Sequence, residues 1–149
     1  MTRFVVHNLV ALPEAELKPL LKESRTQGFE FVDRLAAEYA NGTNLFDGPG
    51  EALFGVIYDG SLVAIGGLNR DPYARDDHTG RVRRVYVLDE WRSQGVGRLL
   101  VERIIAEARQ HFRLLTLRTL SEQADGFYRA LGFRTEPKRD GATHHMVLE

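Results

Sequence analysis

The chain contains no cysteine, which excludes disulfide frameworks, thiolate metal sites and cysteine nucleophiles together. It also lacks an excess of either charge. With 20 Lys and Arg against 21 Asp and Glu, the formal net charge is -1, and no broad field exists to hold duplex nucleic acid or an anionic membrane. Long apolar runs are missing too. The longest, Leu62 to Leu68, falls far short of a bilayer span, and the opening MTRFVVHNLV has neither the apolar core nor the small-residue cleavage site of a signal peptide. No segment repeats or is low in complexity. What the 149 residues do contain is 43% apolar and 28% charged side chains, the balance of a globular domain able to bury a core. The expectation is one cytoplasmic domain over residues 1–149, with no nucleic-acid or membrane partner.

Along this domain the apolar pattern alternates between strand and helix. Arg3 to Val10 is β-branched and reads as a strand. After Pro13, Leu17, Leu20 and Leu21 fall at helical spacing, with Pro19 expected in the first turn or at a kink. Phe29, Val32, Leu35, Ala36 and Tyr39 predict a second helix stopped by Asn41-Gly42. Ala52 to Tyr58 and Leu62 to Leu68 flank Asp59-Gly60, the pair a two-residue hairpin prefers because both turn positions need positive φ. Val82 to Leu88 reads as a strand, and Val96, Leu99, Leu100, Ile104, Ile105 and Ala108 mark an amphipathic helix. Leu114 to Leu120 is the next strand. Ala124, Phe127 and Leu131 mark a short helix closed by Gly132, with Phe133 placed to pack back, and His144 to Leu148 is the last strand. The central strand, helix and strand require a parallel pair with a right-handed crossover. The fold class is therefore α/β or α+β around one mixed, twisted sheet.

Between the central strand and its helix lies Arg92-Ser93-Gln94-Gly95-Val96-Gly97-Arg98. The first amides of a helix have no internal partner and stand at the positive end of its dipole, so phosphate oxygens satisfy them. Glycines at 95 and 97 remove Cβ atoms that would hold a phosphate away. A bare Gly-x-Gly also occurs in turns that bind nothing. A dinucleotide fingerprint fails, because position 100 is Leu100 and Arg118 and Thr119 stand where an acidic residue is needed. A Walker loop fails as well, because Gly97 is followed by Arg98 and Leu99.

The wider string VYVLDEWRSQGVGRLLVERII resembles the acyl-CoA-dependent N-acyltransferases of the GNAT superfamily, whose hallmark Arg/Gln-x-x-Gly-x-Gly/Ala is filled by Arg92, Gly95 and Gly97. A second family signature is matched by Phe127-Tyr128 and Leu131-Gly132-Phe133, and the resemblance extends over essentially the whole chain. It implies acetyl-CoA as co-substrate, with the backbone from Gln94 through Gly95, Val96 and Gly97 to Arg98 around the pyrophosphate. It also implies that the backbone at Val85 and Val87 pairs with the pantetheine arm as an added strand, and that the amide near Val87 polarises the thioester carbonyl.

The implied reaction is attack of a neutral primary amine on the thioester through a tetrahedral intermediate. Such an amine, with a pKa near 10, must first lose a proton at a penalty of roughly three units at neutral pH. Tyr128 stands at the family's general-acid position, where a phenol can protonate the departing thiolate; its structural alternative is a packing tyrosine. Some members carry a glutamate near the start of the motif strand, but Arg81 occupies that place here. The base candidates are then His78 and Asp77, followed by Asp71, Asp76, Glu30 and Asp33, or an ordered water.

Arg81, Arg83 and Arg84 alternate along their strand, so at most two are expected on one face. They read either as surface charge paired with Asp76-Asp77 or as a carboxylate site for an amino-acid-like substrate. Trp91 reads as a packing residue. His144-His145 places its rings on opposite faces, and no metal is expected. The loops 42–50 and 69–80 are expected to line the acceptor side. A homodimer through an exposed strand edge is compatible with this kind of sheet. A longer acyl chain such as succinyl, or a non-catalytic coenzyme-binding module on the same fold, are the alternative functions.

Overall fold

One six-stranded sheet organises residues 3–148, the part of the chain described by the computed structural model. Its strands are β1 (Phe4–Asn8), β2 (Ala52–Tyr58), β3 (Ser61–Arg70), β4 (Thr79–Val87), β5 (Leu114–Leu117) and β6 (His144–Val147), and they lie side by side in chain order. Four helices complete the fold: α1 (Glu14–Thr26), α2 (Phe31–Ala40), α3 (Val96–Arg109) and α4 (Glu122–Ala130). Neighbouring strands are antiparallel except β4 and β5, which are parallel and joined through α3, so the predicted strand, helix and strand unit is present. No helix among the described residues is long and apolar enough to cross a membrane.

Alternation along the strands sends apolar side chains to two cores. Phe54, Val56, Leu68 and Val82 meet Leu100 and Ile104 of α3 on one face. Leu53, Leu62, Ile65 and Tyr86 meet Leu17, Leu20, Val32 and Leu35 of α1 and α2 on the other. The hairpin follows its turn chemistry, with Asp59 at φ 50° and Gly60 at φ 80°. Trp91 packs, as expected, against Tyr58 (ring centroids 4.8 Å apart) and edge-on to Phe4 (5.6 Å). At the end of α4, Gly132 takes φ 106°, its N–H bonds Arg129 O, and Phe133 N–H bonds Tyr128 O, the double bond of a Schellman cap.

Of the two alternatives expected for Pro19, the first turn is removed: it lies in the interior of α1, exposed, and the flanking Leu17 and Leu20 anchor the helix in the core. One expectation needed correction. The strand predicted for 114–120 ends at Leu117, where the β6 ladder also ends at its pair with His144. Arg118 to Leu120 leave the sheet, and Thr119 N–H donates to the Thr143 hydroxyl (2.9 Å) in place of a strand carbonyl.

The loop 42–50 is anchored over β3 by Phe46, which is buried. Its ring fills the space a side chain at Gly67 would need, since a Cβ there would come within 2.3 Å of Phe46 Cε1.

Candidate functional site

β4 and β5 part company early. Their register runs only over Thr79–Arg81 and Leu114–Thr116, while β4 continues to Val87 with β3 alone beside it. Leu88 N–H donates to Val63 O on the β3 side. In an antiparallel ladder successive residues turn their polar groups to opposite sides, so Tyr86 faces β3 and Val85 and Val87 face the gap. Arg92 Nε already donates to Val87 O at 2.8 Å, which leaves the polar groups of Val85 and the N–H of Val87 toward the opening.

The glycine turn lies at the end of this opening. Ser93 (φ 64°) and Gly95 (φ 83°) are both left-handed, and Gly95 caps α3 without any side-chain hydrogen bond. The leading amides of α3 are thus uncapped, and the space beside Gly95 is clear, with nothing within 4 Å of where a Cβ would stand. A Cβ at Gly97 would lie 3.4 Å from Phe127 Cζ and 3.6 Å from Val87 Cγ2, so this residue joins the turn, β4 and α4 at one point. Val96 points its side chain into the core. Arg92 turns inward, donating also to Gln27 Oε1 (3.1 Å) and Asp89 Oδ1 (3.3 Å) with its guanidinium over the Tyr86 ring. Gln94 Nε2 donates to Glu90 O, and Arg98 pairs with Glu102 on the surface.

Tyr128 follows Phe127 on α4, buried among Phe127, Phe133 and His144. Burial alone pushes its pKa above the ordinary tyrosine value, with no charged or hydrogen-bonding neighbour contributing. A phenol in that state is neutral, and its hydroxyl donates to no acceptor among the described residues. His144 beside it is held by Asp125 (2.7 Å) and Thr143 (2.8 Å).

The other wall of the opening is basic, and here the expected alternation fails. Between Ile65 and Gly67 β3 advances two residues while β4 advances three, from Arg83 to Tyr86, and Arg84 sits at φ 61°. This is a β-bulge. It reverses the faces, so that Val82 packs under α3 whereas Tyr86 packs under α1 and α2. Arg81 and Arg83, opposite Val82, share the α2 side with Arg84, whose Nη2 bonds Glu38 Oε1 at 3.0 Å. All three arginines therefore converge, in place of the two expected. Nor do they pair with Asp76-Asp77: Arg81 is buried, 3.9 Å from Asp71 and over the ring of Tyr73. Burial first, and then repulsion from Arg84 and Arg81, lowers the pKa of Arg83 below the usual arginine value.

Arg83 borders an open polar groove of about 300 Å³, between 42–48 and 69–72. The two loops expected on the acceptor side thus meet around one space. Its walls are stiffened by a reciprocal Asn44–Asn69 amide pair (2.9 and 3.0 Å) and by Glu51, which accepts from Gly48 N–H and Arg70 N–H.

The predicted bases are not brought to this place. His78 and Asp77, 3.3 Å apart and exposed, precede β4 and do not line the groove, and along the strand they stand roughly 25 Å from Val85 at about 3.3 Å per residue. Asp76 accepts from His78 N–H and Thr79 Oγ1, and Asp33 is paired with Arg25. Asp71 is buried and engaged by Thr116 Oγ1 (2.7 Å) and Tyr73 N–H (2.8 Å). Glu30 is exposed at the start of α2. Glu38, which sequence reasoning passed over, borders the groove; its position on the polar side of α2 was the available signal. No group of three residues suited to a metal occurs among the described residues.

Comparison with known proteins agrees with this geometry. The model of the acetyltransferase (GNAT) family matches residues 15–133. A provisionally assigned acetyltransferase of Exiguobacterium sp. 255-15 is 33% identical, with 97% of this chain and 93% of that one covered at a TM-score of 0.85. A GNAT-family N-acetyltransferase of Escherichia coli, solved in complex with CoA, shares the fold at 15% identity, a TM-score of 0.74 and coverage of 100% and 83%. A GCN5-related N-acetyltransferase of Kribbella flavida does so at 18% identity, a TM-score of 0.74 and coverage of 97% and 98%. No curated protein matches the chain.

Proposed function

Because the chain belongs to the acetyltransferase (GNAT) family, we propose that it is an N-acetyltransferase that moves an acetyl group from acetyl-CoA to a primary amine. The observation that carries this reading is the unpaired edge of β4 beyond Arg81, ending beside the uncapped N-terminus of α3. Both features fit the coenzyme. The amides from Gln94 to Arg98, opened by Gly95 and Gly97, would hold its pyrophosphate, and the polar groups of Val85 and the N–H of Val87 would bond its pantetheine arm. Bound there, acetyl-CoA supplies the activated acyl thioester.

The chain's own residues then act on protons and position. Arg92 holds the end of β4 to the turn through Val87 O and so sets the strand edge against the helix. Tyr128 keeps its hydroxyl proton while the N–C bond forms, would donate it to the departing coenzyme sulfur as the C–S bond then breaks, and would regain a proton from water. The amine's proton leaves to water in the polar groove, which neither His78 nor Asp77 lines.

The test is release of free coenzyme thiol across a panel of amines, with wild type and Tyr128→Phe. Loss of a general acid lowers turnover by about 10²- to 10⁴-fold, with acetyl-CoA affinity retained. Turnover unchanged in Tyr128→Phe removes the acid role. A protein that binds acetyl-CoA but consumes no amine is a binding module instead.

A further inference from the structure

We propose that Arg83, with Arg81 and Arg84 beside it, forms a carboxylate-binding subsite where β4 and β5 part, and that the acceptor is an amine that also carries a carboxylate. The bulge at Arg84 is what assembles it, by bringing Arg84 to the side of the sheet that Arg81 and Arg83 already share. Two of the guanidinium groups are incomplete. Arg81 Nη1 and Arg84 Nε are sealed from solvent without a hydrogen-bond partner among the described residues, on side chains only 8% and 9% exposed. Leaving buried donors of a charged group unmade is costly, and such groups are seldom tolerated without a ligand or a role.

The local carboxylates do not answer the charge. Asp71 is the partner of Arg81, and Glu38 that of Arg84. Glu51 is spent on two backbone amides, and Asp47 is exposed. Arg83 forms no ion pair among the described residues, yet it borders the groove directly. Its lowered pKa has the same origin, a desolvated cation among cations. An incoming carboxylate would supply the missing negative charge and accept the planar, paired donors that arginine offers. An amino acid presents such a group a few bonds from its amine. The same chemistry would serve a dicarboxylic acyl chain, so the experiment separates the two sources.

This inference rests on the transferase reading for the identity of the acceptor, but the subsite itself is measurable without turnover. Wild type, Arg83→Gln and Arg83→Lys are each assayed with L-amino acids and the matching amino amides, using acetyl-CoA and succinyl-CoA. The same amino acids are titrated calorimetrically into the CoA-loaded protein. The expected result is a preference of roughly 10- to 100-fold for an acid over its amide in wild type, as for a lost charged hydrogen bond. The preference falls toward one in Arg83→Gln and is partly kept in Arg83→Lys. An unchanged acetyl-CoA thermal shift shows each variant to be folded. Equal use of acid and amide by wild type, or a preference untouched by Arg83→Gln, overturns the subsite. A preference for succinyl-CoA over acetyl-CoA that Arg83→Gln abolishes, with no acid preference among acceptors, overturns the acceptor assignment. If no amine is consumed at all, the transferase reading fails while the titration still decides: heat lost in Arg83→Gln supports the subsite, and no heat with wild type refutes it.

Discussion

Gly97→Glu separates the phosphate turn from the fold that carries it. A Cβ at this position would meet Phe127 and Val87 at 3.4 and 3.6 Å, ordinary contact distances, and the residue is the second of α3. Replacing glycine in a helix gains up to about 1 kcal/mol, and a carboxylate in the first turn adds about 0.3–1 kcal/mol against the dipole. The variant should therefore be as stable as wild type or slightly more so. Its effect on the coenzyme is opposite, because the same carboxylate stands among the amides proposed to hold the pyrophosphate. Wild type with acetyl-CoA at 100 times its Kd gains about 2.7 kcal/mol, which for a domain of this size raises Tm by roughly 5–10 °C. Thermal unfolding of both proteins, with and without acetyl-CoA, checks this. The reasoning is refuted if Gly97→Glu retains the full shift, or if wild type shows none.

The remaining predictions concern the scaffold. Pro19→Ala, at an exposed interior position of α1, should stabilise the protein by up to about 3 kcal/mol by restoring a helical N–H, read as a higher urea midpoint at unchanged m-value. Stability should fall as pH rises above about 10, where tyrosines of the unfolded chain ionise. Tyr128, raised by burial, and Tyr86, raised by burial and its 2.5 Å bond to Glu23, hold their protons in the fold. The native state then binds more protons than the unfolded one, so unfolding becomes easier with each pH step. Denaturant titrations from pH 8 to 11 should show this slope, and Tyr128→Phe and Tyr86→Phe should each flatten it.

Local chemistry was readable from neighbouring letters. Asp59-Gly60 specified its turn because Asp-Gly is one of the few pairs that readily take two positive φ values, and Gly132 specified the cap of α4 because a left-handed residue there favours glycine. The periodicity of α3 held at Val96, Leu100, Ile104, Ile105 and Ala108, because the segment meets the sheet by burying one apolar stripe, but Leu99 is exposed and Val101 is buried in its place. Neighbouring letters left two places open for Pro19, because a proline is costly in a helix interior on its own; burial of Leu17 and Leu20 offsets that cost in the assembled protein.

The sequence by itself determined the glycine turn, the helix it opens and the tyrosine that follows on α4, since each depends on residues close along the chain. Tertiary structure alone decided where β4 leaves β5, which carboxylates reach the groove and which face the arginines take. Strand alternation predicts two arginines on one side and one on the other. A single extra residue at Arg84 cancels that parity, and nothing in Arg83-Arg84-Val85 announces it. A bulge arises from how one strand must fit its neighbour, here with Val85 lying close over Gly66 of β3. The charge cluster beside the opening is thus a property of strand pairing, and of no segment read alone.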